Sequence, residues 1–194
     1  MVTAQHSCLP LGNPPPLATT RLRLRVPGAD DAATIAGMAN DWEIARRMAR
    51  LPHPYGIDDA RFFLRDIVPS ELAWAITSAP DGILVGIAGL VPDGATKTVE
   101  LGYWLGRRYW GRGLATEVAQ VITRYGLEIL ELPVITSGCF TDNLASRRVL
   151  AKIGFGETGV SERSCLAVGG NLPFIEMRIE RPDRSVEQFS APRI

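Results

Sequence analysis

The stretch Arg107-Arg108-Tyr109-Trp110-Gly111-Arg112-Gly113-Leu114-Ala115-Thr116 carries the clearest chemistry in the chain. It lies between a strand-like run and an amphipathic helix pattern, and its two close glycines let main chain rather than side chain meet a ligand. Successive N–H groups at the positive end of a helix form a concavity for anions, and phosphate is the commonest occupant. Arg107, Arg108 and Arg112 add positive charge to the same turn. Gly106 and Gly111 have the separation of a nucleotide P-loop, but Arg112 and Gly113 stand where its lysine and hydroxyl belong, so the main parts for phosphoryl transfer are missing. A dinucleotide fingerprint needs a third small residue, where Thr116 stands, and an acidic residue at the next strand, where residues 133–139 carry none. What is left is Arg108-x-x-Gly111-x-Gly113: a diphosphate cradle of another kind, or a plain strand-to-helix turn.

The elements that position this turn follow from periodicity. Residues 1–18 are proline-rich and hold little that could be buried, so they read as a flexible or extended arm. Residues 21–26 alternate charge and aliphatic as a half-buried strand, stopped by Pro27 and Gly28. Asp30 or Asp31 caps a helix with Ile35, Met38, Ala39 and Trp42 on one face, and a second helix runs through Arg50. After the turn at residues 52–56, Asp58 or Asp59 caps a helix whose buried stripe is Ala60, Phe63, Leu64 and Ile67. Strands follow at residues 72–78, 82–91 and 98–105, joined by Pro80-Asp81-Gly82 and Pro92-Asp93-Gly94 turns that make them antiparallel. The middle run is continuously apolar, as for a central strand. Residues 113–130 form a helix with Leu114, Val118, Val121, Ile122, Tyr125 and Ile129 as its apolar set. A strand at 133–139, a helix at 143–153 closed by Gly154, and strands at 155–163 and 173–181 complete a mixed α+β sheet. The single domain spans residues 19–182, with a C-terminal tail at 183–194.

Bulk properties exclude several classes. A chain of 194 residues with 46% apolar and 22% charged composition suits one globular domain. Lys+Arg and Asp+Glu are both 21, so no global basic field drives extended nucleic-acid binding. Cys8, Cys139 and Cys165 are odd in number and widely spaced, which argues against a disulfide framework and a metal site and for a reducing compartment. No apolar run reaches the roughly 18 residues of a membrane span, and the N-terminus lacks a basic residue before its proline-broken apolar patch. The expectation is a cytoplasmic protein that engages no membrane.

Five blocks occur in order: Thr20-Arg21-Leu22-Arg23-Leu24-Arg25, Glu100-Leu101-Gly102-Tyr103-Trp104-Leu105, residues 109–117 around Gly111 and Gly113, Asp142-Asn143-x-x-Ser146-Arg147-Arg148-Val149-Leu150, and Lys152-Ile153-Gly154-Phe155. Together they resemble the RimJ/RimL-type branch of the GNAT superfamily of N-acetyltransferases. The resemblance implies a GNAT (acyl-CoA N-acyltransferase) fold: a twisted, mostly antiparallel mixed sheet flanked by helices. Its fourth and fifth strands, here residues 98–105 and 133–139, would splay apart and admit the pantetheine arm of acetyl-CoA along Tyr103, Trp104 and Leu105. A peptide-like arm added to a sheet edge needs no particular side chains. The diphosphate would sit on Arg108, Gly111, Arg112, Gly113, Leu114, Ala115 and Thr116, with Asn143, Ser146 and Arg147 also facing the cofactor. Arg147 and Arg148 read equally well as a solvated helix face.

The implied reaction is attack of a neutral amine on the acetyl thioester through a tetrahedral oxyanion, releasing a thiolate. The resemblance assigns Glu100 as the base, acting through water; a salt-bridged strand residue is the alternative. An α-amine of pKa about 8 is roughly a tenth neutral at pH 7, far more than a lysine near about 10.4, so a weak base suffices for an N-terminal substrate. Backbone N–H groups near Trp104 and Leu105, where the strand would bulge, hold the oxyanion. Many family members place a tyrosine where this chain has Leu150; Ser146, with Asn143 nearby, offers a hydroxyl to the thiolate instead. Asn143 also reads as a helix N-cap. His53, between two prolines, reads as a shaping residue of the acceptor pocket or as surface, Cys139 as a small buried residue, and Trp74, Trp104 and Trp110 as core or pocket wall. The partners are acetyl-CoA and an amine acceptor, either a protein N-terminus or a small molecule, with a homodimer and a non-catalytic CoA-binding module left open.

Overall fold

In a computed structural model the described residues are 13–93 and 98–182. The alternation at the start of the domain produces a strand, β2 (Leu22–Arg25), with both leucines buried and both arginines exposed. A short strand, β1 (Leu17–Ala18), pairs antiparallel with it, and Trp74 Nε1 donates to the Pro15 carbonyl at 2.9 Å. Residues 15–18 are therefore tied to the sheet rather than part of a free arm, because a buried indole N–H needs an acceptor. Residues 1–12 and the tail at 183–194 lie outside the described residues.

The first helix, α1 (Ala32–Ala39), buries Ile35 and Ala39 but stops at Asn40. Trp42 instead opens a one-turn helix, α2 (Trp42–Ala45), capped by Asp41, and stays partly exposed. The expected second helix through Arg50 is thus cut to one turn. α3 (Ile57–Phe62) continues as a wider π turn through Ile67. Neither Asp58 nor Asp59 is its cap: Gly56 is, and the Asp59 carboxylate reaches back to the Gly56 N–H at 2.7 Å. Asp31 does the same for Gly28 at 2.8 Å. A carboxylate three residues in satisfies the entering amide as well as a capping side chain would.

β3 (Leu72–Ser78), β4 (Leu84–Asp93) and β5 (Thr98–Leu105) form the expected antiparallel set. Pro92 and Asp93 extend β4 rather than turn, and Gly94 lies outside the described residues. α4 (Leu114–Arg124) buries Leu114, Val118 and Ile122, then widens into a π turn that leaves Ile129 exposed, not in the apolar stripe. β6 (Val134–Phe140), α5 (Leu144–Lys152), β7 (Gly156–Cys165) and β8 (Gly170–Glu180) follow. Among the described residues the eight strands run in the order β1-β2-β3-β4-β5-β6-β8-β7. On one face Ile122 of α4 and Leu150 of α5 share a core with Trp74, Leu90 and Leu101; the other packs α1 and α3 over Ala75 and Ile87.

One junction differs from the rest. β5 and β6 are parallel and share a single paired position, Glu100 opposite Thr136. Beside it, two β6 side chains span the strands, Ser137 Oγ donating to the Leu101 carbonyl at 2.8 Å and Thr136 Oγ1 to that of Val99 at 3.2 Å, and beyond Leu101 no residue pair joins them among the described residues. The sheet opens there into a slot.

Candidate active site

The slot is lined by main chain of alternating direction. The carbonyls of Val99 and Leu101 face β6, and that of Leu105 accepts from Trp110 Nε1 at 2.7 Å. By strand alternation Tyr103 also presents its N–H and C=O to the slot, while Trp104 turns its main chain to Ile87 of β4. The expected contribution of the Trp104 backbone thus passes to Tyr103. The expected bulge in β5 is absent: its register with β4 runs one for one from Leu105 to Thr98. The extra residue sits in β4 at Val85, skipped between the Ile76–Gly86 and Thr77–Leu84 pairs. At Gly86 the two strands pass so closely that a Cβ would stand 2.2 Å from the Trp104 carbonyl.

At the end of β5, residues 107–109 make one tight turn, and Gly111 and Gly113 follow at φ +72° and +76°. Both conformations lie in the left-handed region that favours glycine. The first intrahelical bond of α4 runs from Glu117 N–H to the Gly113 carbonyl at 3.2 Å, which leaves the amides of Leu114, Ala115 and Thr116 directed out of the helix mouth. Arg108 and Arg112 are exposed around them. This cradle and the slot suit a diphosphate joined to a peptide-like arm, so the residues present fit acetyl-CoA.

Arg21, not singled out as a site residue, braces the turn. Its Nη1 donates to the Arg112 carbonyl at 2.9 Å, and it pairs with Glu117 at 2.7 Å. Burial would push the Glu117 carboxyl up, but hydrogen bonds from Thr19 and Arg21 outweigh it and hold the group below its ordinary value. Arg147 forms a two-pronged ion pair with Glu157, at 2.5 and 2.9 Å.

Across the slot, Asn143 caps α5, its Oδ1 accepting from the Ser146 N–H at 3.2 Å. Ser146 Oγ lies 2.9 Å from the Tyr103 hydroxyl. Burial pushes the Tyr103 phenol well above its ordinary value and raises the Cys139 thiol too, so both stay protonated at neutral pH. Leu150 is fully buried in the core.

Glu100 projects from the other face of β5. Arg163 Nη1 donates to its Oε1 at 2.6 Å, while Arg163 Nη2 lies 3.5 Å from Glu176 and the guanidinium stacks 3.9 Å over the Phe174 ring. No spacing rule could have found Arg163, because it meets Glu100 across 63 residues. A cavity of about 310 Å³ at the end of β6 is lined by Trp42, Arg46, Phe140, Thr141, Asp142, Val168, Leu172 and Pro173. His53 stacks edge-on to Trp42 with ring centroids 5.4 Å apart, and its Nδ1 is buried without a partner among the described residues. A second cavity of about 390 Å³ lies beside the phosphate turn, between Met38, Asp41 and Arg107. Trp110 is partly exposed under the Arg47 guanidinium, a wall residue rather than core.

Residues 21–156 match the family described as the Acetyltransferase (GNAT) domain. The chain belongs to the GNAT family. This GNAT enzyme is an N-acetyltransferase. It is 30% identical over 152 residues to the uncharacterized N-acetyltransferase YoaA of Bacillus subtilis, covering 75% of this chain and 85% of that protein. It is 33% identical over 96 residues to the probable N-acetyltransferase YjcK of the same organism, covering 48% of this chain and 53% of that one. A GNAT acetyltransferase from Bacillus anthracis superposes with a TM-score of 0.76 at 21% identity, over 87% of this chain and 99% of the other. The same fold appears in the ribosomal-protein-S5-alanine acetyltransferase from Vibrio fischeri, with a TM-score of 0.74 at 18% identity over 88% and 98% of the chains. It also appears in a spermidine N-acetyltransferase from Vibrio cholerae solved with CoA and spermine, with a TM-score of 0.71 at 20% identity over 84% and 97%. Within the GNAT fold, the family's splayed fourth and fifth strands are β5 and β6. No helix among the described residues is long and apolar enough to cross a membrane.

Proposed function

We propose that this GNAT enzyme transfers the acetyl group of acetyl-CoA to a protein N-terminal α-amine, in the manner of the RimJ/RimL-type branch and in the cytoplasm. Acetyl-CoA supplies an activated thioester. The amides of residues 111–116 hold its diphosphate, with Arg108 and Arg112 adding charge, and Tyr103 and Leu105 line its arm. Glu100 takes the amine proton through water, an N–H of β5 steadies the carbonyl oxygen, and Ser146, set by the Asn143 cap, donates to the departing sulfur. The observation that carries this reading is the β5–β6 slot, with the acidic Glu100 on one face and the Ser146 hydroxyl on the other.

The cavity beside Trp42 supports a peptide acceptor, since its apolar wall of Phe140, Val168 and Leu172 suits the first side chain of an extended N-terminus. Among the described residues the thiols of Cys139 and Cys165 are free and buried, which suits a reducing compartment. A thiol-release screen against N-terminal peptides, lysine peptides, polyamines and aminoglycosides tests the acceptor, with calorimetry of CoA binding alongside. The highest kcat/KM is expected for N-terminal peptides. Turnover confined to polyamines or aminoglycosides would establish the small-molecule alternative, and CoA binding without turnover on any amine would leave a binding module.

A further inference from the structure

We propose that Tyr103 is a positioning residue for the leaving group: by donating its phenolic hydrogen to Ser146 Oγ, it frees the serine hydrogen to point at the departing sulfur. The inference rests on the assignment of Ser146 in the proposed function. Tyr103 sends its main chain to the slot and its side chain across to α5, where its hydroxyl stands 2.9 Å from Ser146 Oγ. Ser146 is thereby held from two directions, its N–H by the Asn143 carboxamide at 3.2 Å and its oxygen by the phenol.

A serine hydroxyl has one hydrogen and two lone pairs, so it serves the sulfur as donor only if its other neighbour donates to it. The common competitor, a bond from a helical serine to a carbonyl one turn back, is not made among the described residues: the partner of the Ser146 hydroxyl is the Tyr103 phenol. Packing against the core desolvates the phenol and keeps it protonated, which suits a permanent hydrogen-bond donor better than a proton source. In the reaction the amine nitrogen bonds to the acetyl carbon, the C–S bond breaks and sulfur keeps the electron pair. The amine proton leaves toward Glu100, and Ser146 hydrogen-bonds the thiolate without giving up its proton.

The test is steady-state kinetics on the full chain with Tyr103→Phe, Ser146→Ala and the double variant, at saturating amine. Phenylalanine keeps the ring in its packing and removes only the hydroxyl. Tyr103→Phe is expected to lower kcat about three- to tenfold, the worth of one hydrogen bond, with KM for acetyl-CoA within about twofold. The double variant is expected to be no slower than Ser146→Ala alone, because the two hydroxyls act as one unit. Additive losses, a change confined to KM, or a slow Tyr103→Phe beside a near-normal Ser146→Ala would each overturn the proposal. The last result would also remove Ser146 from the proposed function, whereas a slow Ser146→Ala with a normal Tyr103→Phe would sink the Tyr103 role alone.

Discussion

Arg163 on the outermost strand reaches over the sheet to Glu100, Nη1 to Oε1 at 2.6 Å, although β8 and β6 lie between their strands. The span is possible because Gly138 on β6 has no side chain: the Phe174 ring occupies that space, and the guanidinium stacks on the ring at 3.9 Å. The strand carboxylate expected to serve as a base is therefore also an ion-pair partner, and the two readings of Glu100 coexist on different oxygens. Oε1 is committed to Arg163, and Oε2 has no such partner among the described residues.

Glu100→Gln keeps an acceptor for Arg163 while removing the base. We expect kcat to fall about 10- to 100-fold, more for lysine-type amines than for α-amines, which are partly neutral already. Thermal melts check that the fold survives. An unchanged rate across both amine classes would remove Glu100 from proton transfer.

Gly138→Ala would place a methyl group 2.2 Å from the Phe174 ring and 2.3 Å from the Ile175 carbonyl. One of these contacts is backbone and cannot rotate away. The expected cost is about 2–4 kcal/mol in chemical denaturation, with a loss of kcat as Arg163 comes off Glu100. A fully stable variant would show that the strands here have slack.

Gly111→Val imposes a β-branched residue at φ +72° in the phosphate turn. No neighbour lies within 4 Å of the position its Cβ would take, so the change strains the turn without disturbing the core. Affinity for CoA by calorimetry is expected to fall at least about tenfold, with Tm lowered by only the few degrees that about 1–2 kcal/mol of local strain accounts for. Undiminished affinity would detach the diphosphate from this helix mouth.

Acid sensitivity should trace to Glu117, held below its ordinary value of 4.5 by Thr19 and Arg21 against the opposing effect of burial. A lowered folded-state value means the stabilisation is complete above about pH 4.5 and fades as pH falls through that lower value. Glu117→Gln is expected to cost about 1 kcal/mol at pH 7, discounted for the half-exposed Arg21, and progressively less below pH about 4. A variant gap that stays constant with pH in urea denaturation would contradict this.

What the residues determined alone is what a few neighbours can encode. The alternation at residues 22–25, the left-handed glycines of the phosphate turn, the Asn143 cap and the antiparallel hairpin into β4 are all local, because backbone preference and period act over one or two turns. Even locally, Trp42 and Ile129 misled: helical spacing continues through both, but a helix break puts one at a pocket rim and a π turn puts the other in solvent. The tertiary structure alone decided which side chains meet. Glu100 finds Arg163 across 63 residues, Tyr103 finds Ser146 across 43, and Arg21 finds Glu117 across 96. Those encounters follow from burying whole faces of the sheet and from the slot between β5 and β6, which no short stretch of sequence specifies.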